Sequence, residues 1–220
     1  MAGNILNNRN AMMLIVRVFV LLVCFPVHEC AHAWAAYKLG DDTGRRKGRI
    51  TLNPFRHLDY MGTISILLIG VGYAKPVPVN INNFRHRKRD FALTALAGPI
   101  SNLLMALVFL IILRFTSYLR IAPDYAQLIR QLLTYAAYIN VSLAVFNLIP
   151  IPPLDGSRVV TALLPDSAYN TMLRKERYTM GILLIALMVF GRMGYSPIGF
   201  LTEKVFYFLN HLVSIGLPFH

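Results

Sequence analysis

The chain has 220 residues, 56% of them hydrophobic, and a mean hydropathy of +0.52, which excludes an ordinary soluble globular domain. A formal charge of +12 raises nucleic acid as a partner. The basic residues, however, stand in short blocks between apolar runs and not on one patch or helix face, so nucleic acid is excluded and membrane topology is indicated. Cys24 and Cys30 lie six apart in an apolar run, form no C-x-x-C or disulfide framework, and read as buried thiols.

A hydrocarbon core of about 30 Å takes about 20 apolar residues in a helix. The first such stretch runs from 11 to 38. Arg9 ahead of it and Ala31-His32-Ala33 within it mimic a signal peptide, but the run is too long for a signal h-region. The stretch 61–73 is apolar, too short to cross, and contains Gly62, Gly70 and Gly72; it reads as re-entrant or interfacial. Stretches 91–113, 129–149 and 178–194 reach or approach crossing length, and 198–217, which carries Glu203, Lys204, Asn210 and His211, either spans or lies in the interface. The expectation is an α-helical polytopic membrane protein of five to six membrane segments. It forms a single domain over 1–220, with a catalytic core over about 11–160, C-terminal membrane helices over about 178–217 and no accessory module.

Charge supplies the orientation, because Lys and Arg near span ends collect on the cytoplasmic side. Residues 41–60 hold Arg45, Arg46, Lys47, Arg49 and Arg56; 74–90 hold Lys75, Arg85, Arg87, Lys88 and Arg89; 150–177 hold Arg158, Arg174, Lys175 and Arg177. All three are expected to be cytoplasmic, which requires 61–73 to dip in and return. The end of the first helix and the segment after 149 then share one side.

Those are the places of two chemical motifs. The first is His28-Glu29-Cys30-Ala31-His32. Residues four apart on a helix share a face, so both imidazoles can reach one tetrahedral ion, with Glu29 beside them as general base toward water. Each ionisable residue costs about 2.5–3.5 kcal/mol inside a membrane helix, and a metal offsets that. A catalytic zinc takes three protein ligands and leaves one position open. Ala35 and Lys38 exclude the metzincin pattern; Glu176, in a charged run, and Glu203 read as solvated or interfacial. Asp155 is the better ligand: it ends Asn147-Leu148-Ile149-Pro150-Ile151-Pro152-Pro153-Leu154-Asp155-Gly156, where prolines break a membrane helix before a carboxylate and a glycine. Non-helical backbone at that depth requires a protein-lined or hydrated cavity, which an active site provides.

Together these motifs resemble the site-2 protease family of intramembrane metalloproteases, in its compact prokaryotic branch without a PDZ insertion. Supporting matches are Leu39-Gly40-Asp41, Leu52-Asn53-Pro54, Ala97-Gly98-Pro99 with Asn102, and Gly72-Tyr73-Ala74-Lys75-Pro76-Val77-Pro78-Val79-Asn80. The resemblance implies His28, His32 and Asp155 as ligands of one Zn2+ per chain and Glu29 as base. It also implies a transmembrane protein or peptide as substrate and a multi-pass location in a prokaryotic inner membrane. Asn147 matches the family's asparagine near the metal, with a role in holding substrate or stabilising the oxyanion; on its own chemistry it serves equally as an interhelical hydrogen-bonding residue.

The segment from Tyr73 to Ile81 alternates polar and apolar positions around Pro76 and Pro78. The resemblance makes it a membrane-associated β-hairpin that engages an unwound substrate by strand addition through Tyr73, Ala74, Lys75, Pro76 and Val77; an ordinary cytoplasmic loop is the alternative. Asn102 is a candidate substrate contact on a helix expected to pack against the metal-bearing ones. His57 is read as a solvated loop residue, or else a stray ligand, and His86 as part of a cationic loop on anionic headgroups. Metal transport accounts for the two histidines but not for Glu29 between them. Oligomeric state is open.

Overall fold

The computed structural model describes residues 9–69, 72–118, 122–165, 179, 182 and 196–216. Helix α1 (Arg9–Phe19) passes through a wide π-helical turn (Val20–Cys24) into α2 (Phe25–Lys38). The turn has a local cause in Pro26, which has no N–H to give Leu22 and whose ring crowds that carbonyl. The Phe25 N–H reaches back instead to the Val20 carbonyl, one residue further than in an α-helix, and the register shifts just before the histidines. Beyond it α2 buries Pro26, His28, His32, Ala33 and Ala36. Cys24 is fully buried, whereas Cys30 is partly exposed, so only one of the two thiols belongs to the interior.

A turn at Gly40, φ +111°, leads to the short α3 (Thr43–Arg46). Asp41 is fully buried there. It accepts from the Thr43 amide (3.1 Å) and hydroxyl (2.6 Å), from the Asn80 amide (2.8 Å) and from the Asn83 side chain (2.7 Å). One carboxylate therefore ties the end of α2 to a segment forty residues on.

Helix α4 (Tyr60–Ile69) has 10 residues, about 15 Å of rise, half of a hydrocarbon core. That length is too short to cross, as expected of the stretch 61–73. A Cβ on Gly62 would stand 2.0 Å from the Tyr73 carbonyl and one on Gly72 2.2 Å from the Gly62 carbonyl, so the returning backbone passes directly against the start of α4. Arg17, an isolated cation in the first apolar run, donates through Nη1 to the carbonyls of Leu67 (2.6 Å) and Leu68 (3.2 Å), which capping within α4 leaves open.

Further α-helices among the described residues are α5 (Arg87–Phe115, with Pro99 inside), α6 (Pro123–Asn147), α7 (Asp155–Leu163) and α8 (Pro197–Gly216). α5 is central, packing on α6, α2 and α7. Ala106, Leu110, Ala137, Val141, Val145, Leu209 and Val213 form the core between α5, α6 and α8, where alanines at 0% exposure let the backbones approach closely.

Among the described residues three helical stretches are long and apolar enough to cross a membrane: Leu14–Lys38, Arg87–Phe115 and Pro123–Asn147. They match the first three expected spans, with α5 and α6 starting earlier because Arg87–Asp90 and Pro123-Asp124 continue the helices into polar ends. α8 falls where the fifth apolar stretch was expected; 178–194 lies outside the described residues but for 179 and 182. The expected β-hairpin is not present among the described residues, which contain no strand. Residues 73–80 form a single extended stretch, because the inward groups of Lys75 and Val77 find loop and side-chain partners in place of a second strand.

Two expectations follow. Arg17→Leu uncaps α4, so a cysteine placed at position 63 is alkylated faster in Arg17→Leu than in the wild-type background, by about the tenfold that loss of one charged hydrogen bond implies. For Asp41, burial raises the carboxyl's pKa, but the hydrogen bonds from Thr43, Asn80 and Asn83 outweigh it and hold it below the usual carboxylate range. A depressed folded pKa means stability present above the unfolded value, about 3.9, and lost as pH falls through the folded one. Amide exchange of 80–83, corrected for intrinsic rate, should stay slow at neutral pH and accelerate only in stronger acid, whereas Asp41→Ala should show the fast exchange at neutral pH.

Candidate metal centre

Three elements meet at the ionisable cluster. α2 presents His28 and His32 on its buried face, with ring centroids 4.6 Å apart. α7 opens with Asp155, delivered by the proline-rich link from α6. Gly156 makes that delivery possible, since a Cβ there would lie 2.1 Å from the Leu148 carbonyl and 2.8 Å from that of Ile149. α5 forms the floor. Its Thr94 carbonyl sits 2.8 Å from His32 Nδ1, and a Cβ on Gly98 would stand 2.4 Å from His32 Nε2 and 2.5 Å from His28 Cε1.

The three potential donor atoms form a nearly equilateral triangle. His28 Nε2 is 3.0 Å from His32 Nε2, and each is 3.2 Å from Asp155 Oδ2. With the Thr94 carbonyl accepting the proton of Nδ1, the Nε2 of a neutral His32 carries a lone pair aimed at the other two atoms. Asp155 Oδ2 is buried and has no hydrogen-bond donor. Three acceptors converging out of water call for a cation. Ligand atoms around a tetrahedral zinc with bonds of about 2.0–2.2 Å lie about 3.3–3.6 Å apart, close to the triangle observed. Two imidazoles, one carboxylate and an open fourth side suit zinc.

Two cavities flank this triangle. One, of about 290 Å³, is lined by Glu29, His32 and Asp155, by Pro76, Val77 and Val79, and by Phe91 and Arg158, whose guanidinium lies over the Phe91 ring. The other, of about 310 Å³, is more apolar and holds His28, Asn102, Asn147, Tyr73, Ala74 and Pro76. Pro76 and Pro153 border both. An extended chain laid along 73–79 therefore passes the cluster from one cavity to the other.

The structure thus brings together His28, Glu29, His32 and Asp155, with Tyr73, Ala74, Pro76 and Val77 around them. Asn102 is completely buried with neither side-chain amide atom hydrogen-bonded to protein, while the Asn147 amide donates to the Leu143 carbonyl of its own helix (2.9 Å). Lys75 lines neither cavity and contributes through its backbone. His57 is neither a solvated loop residue nor a ligand: it is fully buried, and its Nε2 donates to the Thr51 carbonyl (2.8 Å). His86 and Glu203 are exposed as expected, and Glu176 lies outside the described residues.

Sequence pattern singles out neither Arg49 nor Arg158 as part of this region, because both count equally well as topological charge. The signal for Gly98 is present, as a glycine followed by proline in a crossing helix, but it points to helix packing and not to the histidine rings. The glycine is decisive nonetheless. Gly98→Ala should displace one or both rings, and metal analysis of the purified variant should give at least about a tenfold loss of zinc affinity, the scale seen when supports of a metal ligand are disturbed.

The comparisons with known proteins agree with this geometry. The model described as "Peptidase family M50" matches residues 118–190, which include Asn147 and Asp155. "Putative zinc metalloprotease YwhC" of Bacillus subtilis is 40% identical over 170 residues, covering 76% of this chain and 78% of its own. The similarly named Rip2 of Mycolicibacterium smegmatis is 26% identical over 184 residues (79% and 68%), and MJ0611 of Methanocaldococcus jannaschii is 31% identical over 136 residues (62% and 64%). No solved structure matches. With a triangle of donors that fits zinc, apolar helices that hold it, and a relative of this identity and coverage, the chain belongs to peptidase family M50, the site-2 protease family of membrane-embedded zinc metalloendopeptidases.

Proposed function

We propose that the protein is an intramembrane endopeptidase that hydrolyses peptide bonds of transmembrane substrates near the cytoplasmic face, as a step of regulated intramembrane proteolysis. The observation that carries this reading is the depth of the cluster. His28 and His32 lie ten and six residues before Lys38, the end of the span Leu14–Lys38, which is about 15 and 9 Å of helical rise. The bonds within reach are those of a chain that itself enters the membrane. The basic loops 41–60 and 74–90 stand at that end, and the positive-inside rule makes it cytoplasmic.

In this reading His28, His32 and Asp155 hold one zinc. When bound, zinc polarises the scissile carbonyl and makes water nucleophilic near neutral pH. Glu29 takes a proton from the attacking water and returns it to the leaving amine, from a position in the same cavity as His32 and Asp155. A helical peptide bond is shielded by its own hydrogen bonds, so the substrate unwinds first and lies along Tyr73–Val77 by strand addition. It then supplies a second strand, which no described residue of the enzyme provides. The Asn102 amide, buried without a protein partner, and that of Asn147, in the same cavity, hold the substrate's main chain. The protein is multi-pass in a prokaryotic inner membrane, with α8 and the stretch 178–194 completing five to six membrane segments.

Glu29→Gln is the direct test. In proteoliposomes the variant should keep its zinc, by metal analysis, and cleave a fluorogenic transmembrane peptide about 10²–10⁴-fold more slowly. Cleavage at the wild-type rate removes Glu29 as the base, and zinc flux without peptide cleavage in the wild type removes proteolysis itself.

A further inference from the structure

Arg49 belongs to a basic run in which Arg45, Arg46 and Lys47 are exposed, yet its own side chain is 6% exposed. Gly48, at φ +65°, turns the backbone between them, and the Arg49 amide donates to the Gly44 carbonyl (3.0 Å), so the guanidinium is directed inward. A guanidinium is not taken out of water without compensation. Its Nη2 donates to the Lys75 carbonyl and stands 4.0 Å from Glu29 Oε2. The same carboxylate oxygen accepts from the Val77 amide (3.2 Å), and the Lys75 amide donates to the His57 carbonyl (2.8 Å).

These contacts form one chain. In an extended segment the N–H and C=O of a residue point to the same side, and alternate residues repeat that direction. Lys75 and Val77 therefore turn their backbone groups together toward Arg49, His57 and Glu29. The carboxylate is held by an amide of the cavity-lining segment and attracted by a cation that itself holds that segment.

We infer that Arg49 is a positioning residue: it fixes the Glu29 carboxylate and the 73–79 segment to one another, so that the group acting on water and the edge that aligns the substrate keep a constant spacing. The inference rests on the reading of Glu29 as the base. Arg49 is not one of the three metal-site residues and lines neither cavity itself, and its effect passes through Glu29 and the Lys75 carbonyl. Lysine keeps the charge but not the rigid guanidinium plane that sets Nη2 between the Lys75 carbonyl and the Glu29 carboxylate, and glutamine keeps a donor without charge.

The test uses Arg49→Gln and Arg49→Lys in the full chain in proteoliposomes, with zinc content, thermal stability, kcat and KM measured for a transmembrane peptide. Both variants should retain zinc. Arg49→Gln should lower kcat about 10–100-fold and Arg49→Lys about 3–10-fold, with KM shifting less than about threefold, as for loss of base alignment. A loss confined to KM, to zinc content or to thermal stability overturns the assignment, as does unchanged kcat in Arg49→Gln. If Arg49→Gln does not fold, Arg49→Lys decides alone: wild-type kcat, or a loss carried wholly by KM, overturns it. Failure of the base reading is separate, because it appears as normal cleavage by Glu29→Gln.

Discussion

Two imidazole nitrogens and a carboxylate oxygen 3.0–3.2 Å apart and withdrawn from water repel one another when all three present lone pairs, and a proton or a metal ion among them removes that repulsion. Much of the fold serves to enforce that unfavourable convergence. One helix carries two of the donors on its buried face, and the third comes from a different helix, admitted by a glycine that lets the link from α6 fold flat against it. The floor is backbone: a carbonyl that sets the His32 tautomer and a glycine that leaves room for both rings. The binding energy of an ion offsets the strain of assembling these groups, so metal and fold support each other.

Around this centre three further charged groups perform mechanical tasks. Arg17 closes the open end of a helix too short to cross the membrane. Asp41 fastens the far end of the extended segment, and Arg49 its middle. Each is a charged group in a costly position whose partner is backbone or a distant side chain. The 73–80 stretch is thus held by side chains and loops, while its other edge has no strand partner among the described residues.

The sequence made the candidate metal ligands legible because their chemistry is local. A four-residue spacing places two histidines on one helical face, and a proline-broken helix ending in Asp-Gly has few structural reasons to exist within a membrane. Span positions were legible for a similar reason, since length and apolarity are properties of one segment. What depends on pairing between distant segments was not. Arg49 lies in a run with three solvated cations, distinguished only by the turn at Gly48, and His57 looked solvated because the carbonyl that satisfies it is recognisable only in three dimensions. Over 73–81 the family resemblance suggested a partner strand, whereas among the described residues the partners of this stretch are loop carbonyls and side chains.

The prolines of that segment carry a consequence for how copies of the protein meet. With Lys75 and Val77 facing inward, the open edge is formed by Ala74, Pro76 and Pro78, and the two prolines have no N–H. Beyond Ala74 this edge offers oxygens and no hydrogens. A chain rich in amide hydrogens satisfies it, but a second copy of the same edge does not, because two rows of carbonyls repel. The backbone on that side of 74–78 is thus poorly matched to a copy of itself.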